Sequence, residues 1–169
     1  MIERMTRSRV KKRETPPLIE KTPEEKLIEF IQNERFNDAH ALYKQGKVNS
    51  GELERAISKV QFNRAETIFF SFALFFAQRE KTVMANKFVV SLLITDNVDL
   101  PGSYFLAYEY HKKVLREKTE DVDELNFALF FYDVPDEVVL LPEAKQIARK
   151  LRGKGIKSDE IVEILDGRN

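Results

Sequence analysis

Read for its apolar and polar positions, the chain is a succession of helical stripes around one uncharged stretch. Asn63 to Thr95 holds six of the thirteen phenylalanines, and Thr67 to Gln78 carries no charge. The spacing predicts a helix from Arg64 to about Gln78. Its apolar residues Ile68, Phe69, Phe72, Leu74, Phe75 and Phe76 cover most of its circumference, so it needs neighbours on several sides. Lys81 to Thr95 reads as a companion helix, with Phe88, Val89, Leu92 and Leu93 facing inward. This pair is the expected centre of the molecule, and Phe72 and Phe76 are expected to be almost fully buried.

The flanking stretches are amphipathic and well punctuated. Thr22-Pro23-Glu24-Glu25 opens a helix through Gln32. The Thr hydroxyl accepts backbone N–H groups, Pro fits the first turn and the acids suit the helix dipole. A second helix runs from about Arg35 to Gln45 and stops at Gly46. Asn49 and Glu52 have capping-box spacing, and Leu53, Ala56, Ile57 and Val60 follow on one stripe. Asn63 is the expected cap of the central helix. Ser103 opens a helix to about Lys118, with Tyr104, Tyr108, His111 and Leu115 on one face. Asp121, Asp123 and Glu124 form the acidic first turn of a helix that continues to Tyr132. Val138–Leu141 is a short apolar run, either an isolated strand or, as favoured here, the lead into a helix from near Pro142, where Ala144, Ile147, Ala148 and Leu151 recur at i, i+3, i+4 and i+7. Ser158 starts a last short helix closed by Gly167. No stretch shows sustained strand alternation. The expected fold class is all-α: an antiparallel helical stack or short α-solenoid-like array of about nine helices.

Length and charge refine this picture. A chain of 169 residues fits a tail, residues 1–21, and one all-helical domain, residues 22–167. The tail is basic, contains Pro16-Pro17 and lacks periodicity, so it is expected to be disordered. A basic arm that touches nucleic acid or an acidic partner is the alternative. Lys and Arg total 28, as do Asp and Glu, which leaves no global pull on nucleic acid or anionic lipid. The absence of cysteine excludes a thiol nucleophile, a cysteine zinc site and a disulfide framework. It fits a cytoplasmic setting. No apolar run follows the basic start, so no signal peptide is expected. Arg79, Glu80 and Lys81 break the central apolar stretch well short of the about 20 residues of a membrane span.

Candidate chemistry is sparse. His40 and His111 have no second histidine or carboxylate at helical metal-site spacing, and both are expected on solvated helix faces. The acidic clusters Asp96/Asp99, Asp121/Asp123/Glu124 and Asp133/Asp136/Glu137 lack a calcium-loop arrangement and read as helix starts and breaks. There is no glycine-rich phosphate cradle and no nucleophile elbow. No metal, cofactor or catalytic set is therefore expected. Two polar constellations remain. Lys145, Arg149 and Arg152 recur at i, i+4 and i+7 within a basic run reaching Lys157. Such a face suits phosphates or an acidic protein surface, or simply matches the dipole of a helix C-terminus. The second is Tyr110, His111, Lys112 and Lys113, a mixture typical of interfaces. Tyr110 and His111 are expected to be exposed, and Tyr104 and Tyr108 to lie in the core.

Phe-Ala-Leu-Phe-Phe occurs twice, at Phe72–Phe76 and Phe127–Phe131. This is either coincidence in a phenylalanine-rich chain or the mark of a duplicated helical unit. Ala73, Ala85, Ala128, Ala144 and Ala148 supply small residues where helices would approach. On these points Arg64–Leu151 resembles tetratricopeptide-type and related α-solenoid repeats. It lacks the Trp and the steady period of about 34 residues of that repeat. The resemblance thus implies helix-on-helix stacking and carries over no binding residues. The expected function is a non-enzymatic protein–protein interaction module, such as an adaptor or a toxin-neutralising immunity protein. Its partner-binding candidates are the two constellations just named. The alternative is a nucleic-acid-associated protein using the basic tail and the Lys145–Lys157 face.

Overall fold

The computed structural model describes residues 20–60, 66–94, 101–134 and 138–167. Among them the chain is all-helical, with nine helices and no strand. They are α1 Pro23–Gln32, α2 Phe36–Lys44, α3 Ser50–Val60, α4 Glu66–Glu80, α5 Val83–Ile94, α6 Ser103–Glu117, α7 Val122–Asp133, α8 Leu141–Gly153 and α9 Asp159–Asp166. The basic tail through residue 19, the Asn63 cap and the acids Asp96, Asp99, Asp136 and Glu137 lie outside the described residues.

Local chemistry sets the helix ends. At α1 the Glu25 N–H donates to Thr22 Oγ1 at 3.2 Å, and the Thr22 N–H donates to Glu25 Oε2 at 2.8 Å. Asn49 and Glu52 make the same reciprocal pair before α3, at 3.0 and 2.8 Å. Each pair satisfies two donors that the first helical turn leaves open. At the end of α2, Gly46 takes φ +66°. Its N–H donates to the Tyr43 carbonyl and the Lys47 N–H to the Leu42 carbonyl. This left-handed exit closes the last turn and is the conformation that glycine adopts most readily. The end of α1 has the same bonds, from Glu34 to Ile31 and from Arg35 to Phe30, but the left-handed residue is Glu34, at φ +58°. Its Cβ works against that conformation. Glu34→Gly is therefore expected to raise the unfolding free energy by about 0.5–1 kcal/mol. A urea titration checks this, and a lower midpoint would contradict it.

The break between α4 and α5 falls at Lys81-Thr82, so the helix expected from Lys81 begins at Val83 instead. Lys81 is left-handed at φ +51°, and Thr82 Oγ1 accepts the Ala85 N–H at 3.2 Å. A threonine hydroxyl is better used as a cap than inside a helix. The lead-in to α8 is fastened rather than free: Val139 is buried and its N–H donates to the Phe131 carbonyl at 3.1 Å. Pro142 sits in the first turn of α8 as expected.

α4 is enclosed by α1, α2, α3 and α5. Phe72 is 1% exposed and packs on Phe36 with ring centres 5.6 Å apart; Phe76 is as deeply buried against Tyr43 at 5.0 Å. From α5 onward each helix packs on the next through to α9, with α5 and α6 in closest register. One apolar core runs from Leu27 on α1 to Ile164 on α9. The alanines at positions 73, 85, 128, 144 and 148 are all buried, and their small side chains let helix axes approach. No described helix is long and apolar enough to cross a membrane.

Candidate functional site

Tyr110, His111, Lys112 and Lys113 follow one another on α6, about 100° apart around its axis, so they cannot share one surface. The structure divides them among three grooves. Tyr110 and Lys113 line a groove of about 450 Å³ between the α4–α5 corner and α6, with Asn86 and Arg116 beside them. His111 lies in a second groove of about 370 Å³ formed with α5 and α7. Lys112 lines a third, of about 190 Å³, with Tyr108 and with Glu143 and Lys150 of α8.

Two expectations are corrected here. Tyr110 is 8% exposed and His111 only 1%. α6 is covered by both α5 and α7, so its buried arc is wider than one stripe. Tyr110 lines a groove together with Asn86 of α5, while Tyr108 and His111 pack at a tilt against Phe131 of α7. Lys113 Nζ sits 3.8 Å from the centre of the Tyr110 ring, a cation–π contact. Burial raises the pKa of the Tyr110 phenol.

The second groove brings together three ionisable groups that no sequence spacing connects, buried His111 and Glu124 and exposed Lys87. His111 Nε2 donates to the Glu124 carbonyl at 2.9 Å, and its Nδ1 is 3.9 Å from Glu124 Oε2. The same carboxylate pairs with Lys87 of α5. The imidazole meets the Phe127 ring edge-on at 4.9 Å. Burial pushes His111 below the ordinary imidazole value, partly opposed by its hydrogen bond to the Glu124 carbonyl and by the Glu124 charge. Glu124 was legible as a first-turn acid, and Asp121 indeed caps α7, accepting from the N–H groups of Asp123 and Glu124. Nothing in the sequence marked Glu124 as the buried one.

His40 is also not on a solvated face. Its Nε2 is 2.6 Å from Glu80 Oε1, and its ring meets Phe75 and Phe76 edge-on. The hydrogen bond from His40 holds the Glu80 carboxyl below its usual value. Each copy of Phe-Ala-Leu-Phe-Phe is thus gripped by a histidine and a tyrosine three residues apart, His40 with Tyr43 and Tyr108 with His111. The order of the two residues is reversed, and α3 separates α2 from α4 whereas α6 leads directly to α7. The copies share an aromatic environment without sharing a connection. Among the described residues no group of three or more His, Asp or Glu side chains is placed to hold a metal ion.

Lys145, Arg149 and Arg152 do share a face, and Leu141 begins it, since positions i, i+4, i+8 and i+11 fall within one quadrant of a helix. Arg149 and Arg152 are exposed and Lys145 is half-buried. None of the three is ion-paired with a described carboxylate, whereas Lys154 is held by Glu120. The helix starts at an apolar end of the stack. Leu140 is 63% and Leu141 43% exposed; Phe130 of α7 and Phe105 and Leu106 of α6 are exposed as well. Tyr104 meets Phe130 at 6.0 Å, and Tyr108 Oη donates to Glu143 Oε1 at 2.7 Å, so these helix ends lie together. Burial and the Glu143 carboxylate keep the Tyr108 phenol protonated far above its usual pKa. Sequence reading found the cations but not the apolar end, because Phe130 and Leu141 look like core residues until their neighbours are placed.

Comparison with family models, curated proteins and solved structures finds no match to this chain.

Proposed function

We propose that the protein is a non-enzymatic protein–protein interaction module working through the apolar end of the stack and the basic stripe of α8. The observation that carries this is continuity. Exposed Leu141 runs directly into Lys145, Arg149 and Arg152, three cations that no described carboxylate neutralises. Unpaired like charges beside apolar area favour a partner of complementary pattern. The partner is an acidic amphipathic segment, with apolar side chains for Leu140, Leu141 and Phe130 and carboxylates at helical spacing for the cations. Both an adaptor and a toxin-neutralising protein would use such a face, and the partner's identity decides between them.

The test is retention of proteins from a native-host extract by the wild type and by two variants, Leu141→Asp and Arg149→Glu/Arg152→Glu. One stoichiometric protein held by the wild type and lost with both variants is the expected result. Equal retention by all three forms overturns the proposal. Recovery of RNA or DNA that falls steeply with salt and with the Arg149→Glu/Arg152→Glu variant would replace it with the nucleic-acid reading.

A further inference from the structure

We infer that the groove between the α4–α5 corner and α6 is a binding site for a small organic phosphate. Its buried anchor is Asn86, only 4% exposed on α5. The Asn86 carboxamide makes no hydrogen bond with any described residue, yet it lines the groove. No described side-chain polar atom is sealed from solvent without a hydrogen-bond partner, so the Asn86 amide is open to the groove, where a ligand atom can take the place of water. An amide offers both a donor and an acceptor, which suits the ester, sugar or base part of a ligand.

The charge of the lining points to the other end of that ligand. Lys81 from the corner and Lys113 and Arg116 from successive turns of α6 face one carboxylate, Glu117. None of the three cations is paired with a described carboxylate. A phosphomonoester carries about 1.5 to 2 negative charges at neutral pH and matches that excess better than a single carboxylate does. A guanidinium with two ammonium groups nearby is a suitable phosphate clamp. The groove, about 450 Å³, is of the size that accepts a small molecule rather than a bare ion.

The full chain, uniformly labelled with ¹⁵N, tests this by titration with adenosine monophosphate, glucose 6-phosphate and inorganic phosphate at constant ionic strength. The readout is the side-chain amide signal of Asn86. A saturable shift with at least one ester is expected, with affinity above that for inorganic phosphate and about tenfold weaker in Arg116→Ala. Arg116 is exposed, so this variant keeps the fold. Asn86→Asp lacks the side-chain reporter and is followed through the backbone amides of Lys113 and Arg116, with helicity checked by circular dichroism; it is expected to abolish binding by placing a negative charge at the anchor. Three results would each overturn the inference: no saturation with either ester, an affinity for inorganic phosphate equal to that for the esters, or unchanged affinity in Arg116→Ala. Which ester binds tighter separates a nucleotide from a sugar phosphate as the source.

Discussion

Replacing Phe72 by alanine is expected to lower the unfolding free energy by about 3–5 kcal/mol. The side chain is almost wholly enclosed, with Phe36, Phe75 and Phe76 rings around it at 5.6–6.4 Å. α4 is covered by four helices, so no loop or surface side chain is free to collapse into the space left behind. The loss therefore includes a cavity cost beyond the transfer of the ring. Phe130→Ala is the control: that ring is 39% exposed and its removal should cost much less. Urea unfolding of both variants gives the comparison. If Phe72→Ala does not fold, Phe72→Leu should still lose about 1–1.5 kcal/mol. A loss below that of Phe130→Ala would remove α4 from the centre of the structure.

His111→Ala should have the second largest effect, and one that depends on pH. Above neutral pH it is expected to cost about 2–4 kcal/mol, from the lost packing on Phe127 and Phe131 and the lost hydrogen bond to Glu124. Burial lowers the pKa of the folded imidazole from its ordinary 6.5. Between 6.5 and the lower folded value the unfolded chain holds a proton that the native state does not. Wild-type stability is therefore full above this window and falls as pH drops through it, by at most about 1.4 kcal/mol per pH unit. Glu124 on α7 and Lys87 on α5 face the ring, with Asp123 on the groove wall, and their charges modulate the drop. The alanine variant lacks the titrating group, so its deficit should shrink from pH 8 to pH 5. Glu80 does not confuse this result. Its folded pKa is lowered, so its contribution is present above the ordinary 4.5 and is lost only as pH falls further, through the folded value. A deficit independent of pH across this range would show that His111 does not titrate with unfolding.

Secondary structure was legible because capping chemistry is local. Thr22, Asn49, Asp121 and Ser158 announce their helices within four residues, and Gly46 and Gly167 close theirs. The burial of Phe72 and Phe76 followed from an uncharged stretch that no single face could hold. Apart from the late start of α5 at Val83, the misses concern which helix lies beside which. Tyr110 and His111 read as exposed because they stand next to Lys112 and Lys113. Their burial comes from α5 and α7 closing over different sides of α6, a tertiary fact with no periodic trace. Asn86 was hidden for the same reason, as the buried one among the polar residues Asn86, Lys87 and Ser91 of a largely apolar helix. Glu124 and Lys87 meet across two helices, and no spacing along the chain encodes their pairing. The basic stripe on α8 was legible because all its members lie on one helix.

The position of α6 as the common wall of three grooves constrains how the protein can change. Substitutions at Tyr110 and Lys113 act on the same groove, whereas neighbours such as Tyr110 and His111 act on two. Variation in Tyr108–Lys113 is therefore pleiotropic: a residue exchanged to retune one groove displaces the shared wall of the others. The outward stripe of α8 carries no such burden, so its sequence can change while the interior grooves are held constant.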